Sequence, residues 1–189
     1  SEVAHGRLKS VDIAAAEAAP GVLKVFTGKD FEGVGGVPCG WQVTDRHGEP
    51  MKEPKHPVLA EGKVRHVGDP IAMIVAETAQ QARDAAELIE VEIEELPAVI
   101  DMKTAAEGGV TVHDEVTDNL CYDWEFVAES KPAVDEAIAN AAHVTTLELV
   151  NNRLVANPME PRVAIGEFVD GRAAYELYTT SQNPHVIRL

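Results

Sequence analysis

Two short segments near the end of the sequence concentrate side chains that donate or accept hydrogen bonds. Residues 151–162 hold three asparagines, two arginines and a glutamate among two prolines, and residues 179–185 are Thr-Thr-Ser-Gln-Asn-Pro-His. Proline fixes the backbone φ angle and removes a donor, so such segments present their polar groups rigidly. A rigidly held amide or guanidinium donor favours negative charge on a nearby oxygen atom. The alternative is a plain surface turn between two strands.

Predicted strands surround both polar segments. Residues 143–150 alternate between apolar and polar types, which predicts a strand before the first segment. Residues 162–169 and 172–180 predict a hairpin that turns at Asp170-Gly171, and a helix is expected to begin near Pro184. The polar groups are therefore expected where strands end.

The first hundred residues predict strands alternating with helices. Residues 7–13 and 22–26 have strand patterns, and Asp12 can cap an alanine-rich helix over 13–19 that Pro20-Gly21 ends. The continuous apolar run 71–76 is typical of a strand buried on both faces. Thr78 can cap a helix over 79–90, and a strand is expected from residue 91 that continues over 96–100.

The remaining segments complete the prediction. Residues 27–57 lack periodicity and predict a long surface loop, whereas the alternating glutamates after residue 89 predict a solvated strand edge rather than a metal site. Asp101 can cap a short helix through residue 106, residues 111–119 link the two halves, and 121–127 predict a short aromatic strand. Ser130 can cap a helix over 132–142. We predict an α+β chain with a boundary near residue 125, giving domains 1–125 and 126–189.

Composition excludes several classes of function. The formal net charge of −16 argues against nucleic acid and against an anionic membrane surface, because both need clustered Lys and Arg. No run of 18 apolar residues occurs, as a membrane span would need, and no export signal begins the sequence. Cys39 and Cys121 are the only cysteines and are not in metal-ligand spacing, so we expect a reduced pair in the cytoplasm.

The spacing of residues does not support three ligand-binding hypotheses. The glycine-rich stretch 33–40 carries Pro38 where a dinucleotide-binding motif needs its third glycine, and no helix pattern follows. His47 and His56 lie near carboxylates in the same loop without recognisable ligand spacing. A small acidic protein that binds divalent cations also fits poorly, because the acidic residues lack the calcium-loop pattern.

In combination, four motifs resemble the molybdenum-cofactor-binding large subunit of the molybdenum hydroxylases, the xanthine dehydrogenase and aldehyde oxidase family. The variant most similar is the large subunit of aerobic carbon monoxide dehydrogenase. The matching residues are Arg65-His66-Val67-Gly68-Asp69-Pro70-Ile71-Ala72, Asn151-Asn152-Arg153, Pro158-Met159-Glu160-Pro161-Arg162, and Ser181-Gln182 with Pro184-His185. The resemblance covers nearly the whole chain and implies an α/β hammerhead domain followed by the start of a molybdopterin-binding domain.

The resemblance also implies roles for individual residues. Gln182 matches a glutamine whose amide hydrogen-bonds the apical oxo ligand of molybdenum, and it is the candidate catalytic and cofactor-binding residue. Glu160 and Arg162 match residues that shape the wall of the site, the alternative for them being a buried ion pair that braces the turn. Residues expected to form structural motifs are Gly68, Asp69, Pro70, Asn157, Pro158, Arg162 and His185. No metal ligand is expected from this chain itself.

The implied enzyme inserts oxygen from water into a substrate and passes electrons to iron–sulfur and FAD partner subunits, with the heteromeric enzyme expected to dimerise. The family's glycine-rich loop and catalytic glutamate lie further along such subunits. We therefore expect an N-terminal portion that is inactive and binds no molybdenum alone. The substrate, whether carbon monoxide, a heteroaromatic ring or an aldehyde, stays open. The alternative function is a free-standing, non-catalytic scaffold or interaction module.

Overall fold

The computed structural model describes residues 1–126, 128–152, 154 and 157–188. Arg153, Leu189 and the last residue of the predicted strand 121–127 lie outside the described residues. Contacts between residues divide the chain into two units, 1–135 and 136–189. The sequence-based boundary near residue 125 stays a prediction.

The first unit contains two antiparallel sheets and two helices. In chain order its elements are β1 (Gly6–Asp12), α1 (Ala14–Glu17), β2 (Val22–Thr27), β3 (Lys63–Val64), β4 (Ala72–Ala76), α2 (Ala79–Ala86) and β5 (Glu90–Glu95). One sheet has the strand order β3-β1-β5, and the other pairs β2 with β4. The strand, helix and strand expected at the start are confirmed, with the two strands in different sheets.

A small core holds α1 and α2 against the β2–β4 sheet. Ala16, Val25 and Ala85 are fully buried there, with Ile74 and Ile89 packed around them. The small alanine side chains allow both helix backbones to lie close to the sheet. The space between the helices and the sheet is therefore narrow, and few large side chains are needed to fill it.

Of the predicted helix caps, the one at Thr78 is confirmed by its hydrogen bond. The Thr78 hydroxyl accepts from the Gln81 amide at 3.2 Å, which caps α2. The Asp12 carboxylate accepts from the Ala14 amide at 3.0 Å at the start of α1. Gly21, which follows the end of this helix, has a φ of +78°, a conformation that glycine adopts without strain.

Two predictions about β4 and α2 were wrong. The strand expected to be buried on both faces leaves Met73 44% and Val75 40% exposed, because α1 and α2 cover only one face of the β2–β4 sheet. The helix expected to reach residue 90 ends at Ala86. Glu90 instead starts β5, whose backbone pairs with β1 from Asp12 back to Gly6, so sheet pairing overrides helix propensity.

The chain after β5 departs from the predicted pattern. Residues 96–100 form no strand, and residues 101–106 form turns rather than a helix. Pro97 has no N–H to donate to a ladder. The Leu96 amide still donates to His5 O at 2.9 Å, but the pairing with β1 does not continue beyond Glu95. No strand occurs among the described residues of 121–127, where the rings of Trp124 and Phe126 lie tilted against each other with centroids 5.8 Å apart.

The second unit is built on one hairpin. Strands β6 (Ala164–Val169) and β7 (Ala174–Thr179) pair in register from Ala164 opposite Thr179 to Val169 opposite Ala174, as predicted. The turn is a short 3₁₀ segment, Asp170–Arg172, followed by Ala173 with a φ of +49°. Helix α3 (Lys131–Ala139) crosses the division between the units, and α4 (Pro184–Ile187) follows the hairpin.

The strand expected over 143–150 is absent, so this prediction was wrong. These residues are exposed and in irregular conformation, with Leu147 74% and Leu149 79% exposed. Alternation alone does not make a strand; it needs a partner backbone, and the described part of the second unit supplies none for this segment. Among the described residues, no helix has the length and apolar character to cross a bilayer.

Candidate functional site

Hydrogen bonds to Val163, which directly follows the first polar segment, connect it to the start of the second polar segment. The Thr180 amide donates to Val163 O at 3.2 Å, and the Val163 amide donates to the Thr180 hydroxyl at 3.3 Å. The Thr179 hydroxyl also donates to Val163 O at 3.1 Å. The chain entering β6 and the chain leaving β7 are thereby fixed side by side, one step beyond the last strand pair.

A second set of bonds shapes the turn after β7. The Asn183 amide donates to the Ser181 hydroxyl at 2.9 Å, a bond that spans Gln182. Asn183 then begins α4, where its carbonyl accepts from the Val186 and Ile187 amides at 3.2 and 3.3 Å. Pro184 occupies the first turn, where a missing N–H costs nothing. Ser181 and Asn183, the two neighbours of Gln182, are therefore fixed by hydrogen bonds.

These contacts form a cleft of about 750 Å³. It brings together four residues that the sequence singled out: Pro158, Glu160 and Arg162 from the first polar segment and Gln182 from the second. The other lining residues are Val163, Ala164, Thr179, Thr180, Ser181, Asn183, Val186 and Ile187. The lining therefore combines two amides, three hydroxyls, one carboxylate and one guanidinium with aliphatic side chains.

The polar side chains of the cleft are available for a ligand. Gln182, Glu160 and Arg162 are all exposed, and none has a hydrogen bond or ion pair to the rest of the described chain. The buried ion pair considered for Glu160 and Arg162 is therefore not what the structure contains. A free amide, a free carboxylate and a free guanidinium face solvent together instead.

Asn157 and His185 do not line this cleft. Asn157 has a φ of +39°, which asparagine tolerates better than most residues. His185 lies on α4 and is exposed. We expect both to shape the turns beside the cleft rather than to contact a ligand.

The Gly68-Asp69-Pro70 motif lies in the first unit and forms a corner before β4. Asp69 is only 8% exposed, and its carboxylate accepts from the Arg65 amide at 2.8 Å. Pro70 O accepts from the Ala60 amide at 2.7 Å, and Gly68 has a φ of +90°. These contacts describe a braced turn, which fits the structural role expected for the motif.

Sequence reasoning missed the residues that hold the site together. Thr179, Thr180 and Ser181 use their hydroxyls on backbone groups. The sequence placed them in a polar segment but assigned this role to none of them. The signal was present as the run Thr-Thr-Ser after a strand, because short hydroxyl side chains compete well for nearby backbone groups. Among the described residues, no three His, Cys, Asp or Glu side chains group as a metal site would require.

Comparison with known proteins matches two parts of the chain to known domain families. Residues 1–97 match the model of the aldehyde oxidase and xanthine dehydrogenase a/b hammerhead domain, and residues 112–189 match the molybdopterin cofactor-binding domain. The order of elements is thus that of a hammerhead domain followed by the start of a cofactor-binding domain, as expected. The chain belongs to the aldehyde oxidase and xanthine dehydrogenase family of molybdenum hydroxylases.

Individual relatives agree with this assignment. The chain is 31% identical, over all its length, to the nicotine 6-hydroxylase large subunit of Paenarthrobacter nicotinovorans, and covers 22% of that protein. It is 30% identical over 98% of its length to the carbon monoxide dehydrogenase large chain of Hydrogenophaga pseudoflava, covering 23% of it. Quinoline 2-oxidoreductase from Pseudomonas putida 86 superposes over the whole chain with a TM-score of 0.79 at 32% identity, with 23% of that chain covered.

The chain therefore spans about a fifth to a quarter of the relatives it matches. The donors of the Gln182 amide and the Arg162 guanidinium suit hydrogen bonds to the oxygen atoms of a molybdopterin-type cofactor. They do not suit direct coordination of a metal by side chains, since the lining holds no cysteine or histidine.

Proposed function

We propose that this chain is the N-terminal portion of the molybdopterin-binding subunit of a molybdenum hydroxylase, an oxidoreductase that inserts water-derived oxygen into its substrate. The observation that carries the proposal is the cleft itself. Gln182 and Arg162 line one concave surface within the part of the chain that matches the cofactor-binding domain, and both side chains are free.

The bound cofactor supplies the redox chemistry, in which each oxygen atom taken from water and transferred to substrate releases two electrons and two protons. The chain's own residues supply position and electrostatics. The Gln182 amide would donate a hydrogen bond to an oxygen atom of the cofactor and favour negative charge there. Arg162 adds a positive charge to the same wall, and Glu160 restricts approach to it.

The exposure of the second unit supports a larger assembly. Ile165, Tyr175 and Leu177 of its hairpin are 61%, 82% and 62% exposed, and no described residue of 136–188 is buried. A two-stranded hairpin without a covered face is marginal in water. Further protein is needed to cover these side chains, so the 189-residue chain alone should be inactive and should retain no molybdenum.

Partner subunits belong to the same proposal. One relative is named as subunit gamma of the 6-hydroxypseudooxynicotine dehydrogenase complex, which supports a heteromeric enzyme. Iron–sulfur and FAD subunits would receive the electrons, two heteromers would associate, and the enzyme would work in the cytoplasm. The substrate would be carbon monoxide, a heteroaromatic ring or an aldehyde.

Isotope labelling tests the proposal on the complete subunit assembled with its partners. We expect turnover of an aldehyde, an N-heteroaromatic ring or carbon monoxide with a dye acceptor, and ¹⁸O from labelled water in the product. A Gln182→Ala variant that keeps its cofactor should turn over about a hundredfold more slowly. Incorporation of ¹⁸O from labelled dioxygen instead of water, or turnover by the free 189-residue chain, would contradict the proposal.

A further inference from the structure

An ordered hairpin lies within the long loop of the first unit, at residues 43–52, here called the tongue. The Met51 amide donates to Val43 O at 2.9 Å, and the Asp45 amide donates to Glu49 O at 2.8 Å. The Asp45 carboxylate accepts in return from the Glu49 amide at 2.9 Å, which closes the turn of the tongue. The tongue therefore has a fixed backbone where the sequence predicts only a surface loop.

The tongue contacts a later part of the same unit, residues 118–123, here called the docked segment. Two tongue residues donate backbone hydrogen bonds to it. The Arg46 amide donates to Asp123 O at 2.8 Å, and the Lys52 amide donates to Cys121 O at 2.9 Å. The docked segment is therefore fixed to the tongue at two points of its backbone.

The side chains of the same two tongue residues add ion pairs. Arg46 Nη2 lies 2.7 Å from Asp123 Oδ1, and Lys52 Nζ lies 3.1 Å from Asp118 Oδ1. All four side chains are exposed, and an exposed ion pair contributes little when two long side chains must be ordered to form it. Here the backbone hydrogen bonds already hold the partners close, so less ordering is needed.

The charges are distributed unequally between the two family matches. Arg46 and Lys52 belong to the hammerhead match, residues 1–97, whereas the docked segment belongs to the cofactor-binding match, residues 112–189. A third pair has the same direction, with Lys63 Nζ 2.6 Å from Asp114 Oδ1. The hydrogen bond from Lys63, and then its charge, lower the pKa of Asp114, so this contact favours the ionised carboxylate.

This distribution is notable because cations are scarce in the chain. It has 16 basic side chains against 32 acidic ones, yet three of the basic ones pair with the start of the cofactor-binding match. The attraction between the two matched parts is therefore concentrated at one place on the first unit.

We propose that the tongue is a docking site of the hammerhead domain for the beginning of the cofactor-binding domain, held by charge attraction and weakened by rising ionic strength. The docked segment is thereby fixed on the first unit before the second unit begins at residue 136. The proposal concerns the connection between the two matched domains and does not depend on the proposed enzymatic function.

Hydrogen exchange of the 189-residue chain, resolved by NMR, tests the docking. The amides of Arg46 and Lys52 bond carbonyl groups of the docked segment and report its release, whereas the Met51 amide bonds within the tongue. Raising sodium chloride from about 0.1 M to about 1 M shortens the screening length about threefold. Exchange should become about fivefold faster at Arg46 and Lys52 and stay unchanged at Met51.

A charge exchange between Arg46 and Asp123 tests the ion pairs directly, with the Lys52 amide as the reporter. Arg46→Glu places two negative charges opposite each other and should speed exchange about tenfold, whereas Arg46→Glu combined with Asp123→Arg should return it to within about twofold of the parent. Lys55→Glu is the matched control. It removes a cation in the same loop that pairs with Glu61 at 2.8 Å, and it should leave the reporter unchanged within about twofold.

Three results would overturn the docking proposal. Exchange at Arg46 and Lys52 that does not respond to salt would exclude charge attraction as its cause. Equal acceleration at Met51 would show that the tongue itself opens. A double variant that exchanges as fast as Arg46→Glu would show that the pair is not formed. If the variants do not fold, the salt dependence in the unaltered chain decides.

Discussion

Val163 and Thr180 hydrogen-bond to each other in both directions, from the Thr180 amide to Val163 O at 3.2 Å and from the Val163 amide to the Thr180 hydroxyl at 3.3 Å. Arg162 precedes one of these residues, and Ser181-Gln182 follows the other. The pair therefore sets the separation between the two polar segments that line the cleft. In an enzyme whose cofactor carries the chemistry, the protein contributes by holding such polar groups in fixed positions.

The first prediction concerns Thr180 in the assembled enzyme. Thr180→Val keeps the side-chain shape but removes the acceptor for the Val163 amide, so kcat should fall about tenfold with little change in the melting temperature. Thr180→Ser keeps the hydroxyl and should restore most of the rate. Equal kinetics for the two variants would show that the hydroxyl does not position the site.

The second prediction concerns the charge at Gln182. Gln182→Glu is nearly isosteric, but at neutral pH it replaces an amide donor with a carboxylate that repels a negative oxygen. Turnover should fall about a hundredfold or more, whereas His185→Gln, outside the cleft, should stay within about twofold of the parent. Steady-state kinetics of enzymes matched for molybdenum content make the comparison. A Gln182→Glu enzyme with unchanged kcat would remove Gln182 from the site.

The third prediction concerns the corner at Asp69. Asp69→Ala leaves the Arg65 amide without its acceptor in a poorly exposed place, so the free energy of unfolding should fall by about 1–3 kcal/mol. The control is Asp84→Ala on the exposed face of α2, which should not destabilise the chain measurably. Urea unfolding of the 189-residue chain measures both. Equal stability of the two variants would contradict a bracing role for Asp69.

The fourth prediction concerns a close approach of two backbones at Gly28. A Cβ added there would lie 2.5 Å from Ala60 O, so Gly28→Ala must push two segments apart and should cost about 1–3 kcal/mol. Gly40→Ala meets nothing within 4 Å and should be neutral within about 0.5 kcal/mol. Thermal unfolding of both variants is the measurement, and a neutral Gly28→Ala would show that this approach is looser than described.

Local chemistry in the sequence predicted much of the fold. Asp12 and Thr78 start their helices, Gly21 follows the first helix, and Asp170-Gly171 turns the hairpin, because each effect depends on residues within a few positions. The end of α2 was not predictable in this way. It depends on β1, almost eighty residues earlier, pairing with β5 from Glu90 onward.

The same distinction applies to the site. The resemblance singled out Gln182 and Arg162, but their meeting in one cleft depends on Thr180 reaching back across the hairpin to Val163, a contact of 17 residues' separation. Residues 143–150 show the converse. Their alternation is typical of a strand, yet they stay irregular because a strand's backbone groups need a partner that the described residues do not place beside them.

Elemental analysis for molybdenum tests the central claim most directly. Two proteins should be purified under identical conditions: this 189-residue chain, and the complete reading frame that contains it, expressed together with its partner subunits. We predict molybdenum bound to the complete assembly and none above background in the shorter chain. Absence of molybdenum from a correctly assembled complete protein would contradict the account and would favour a non-catalytic scaffold or interaction module.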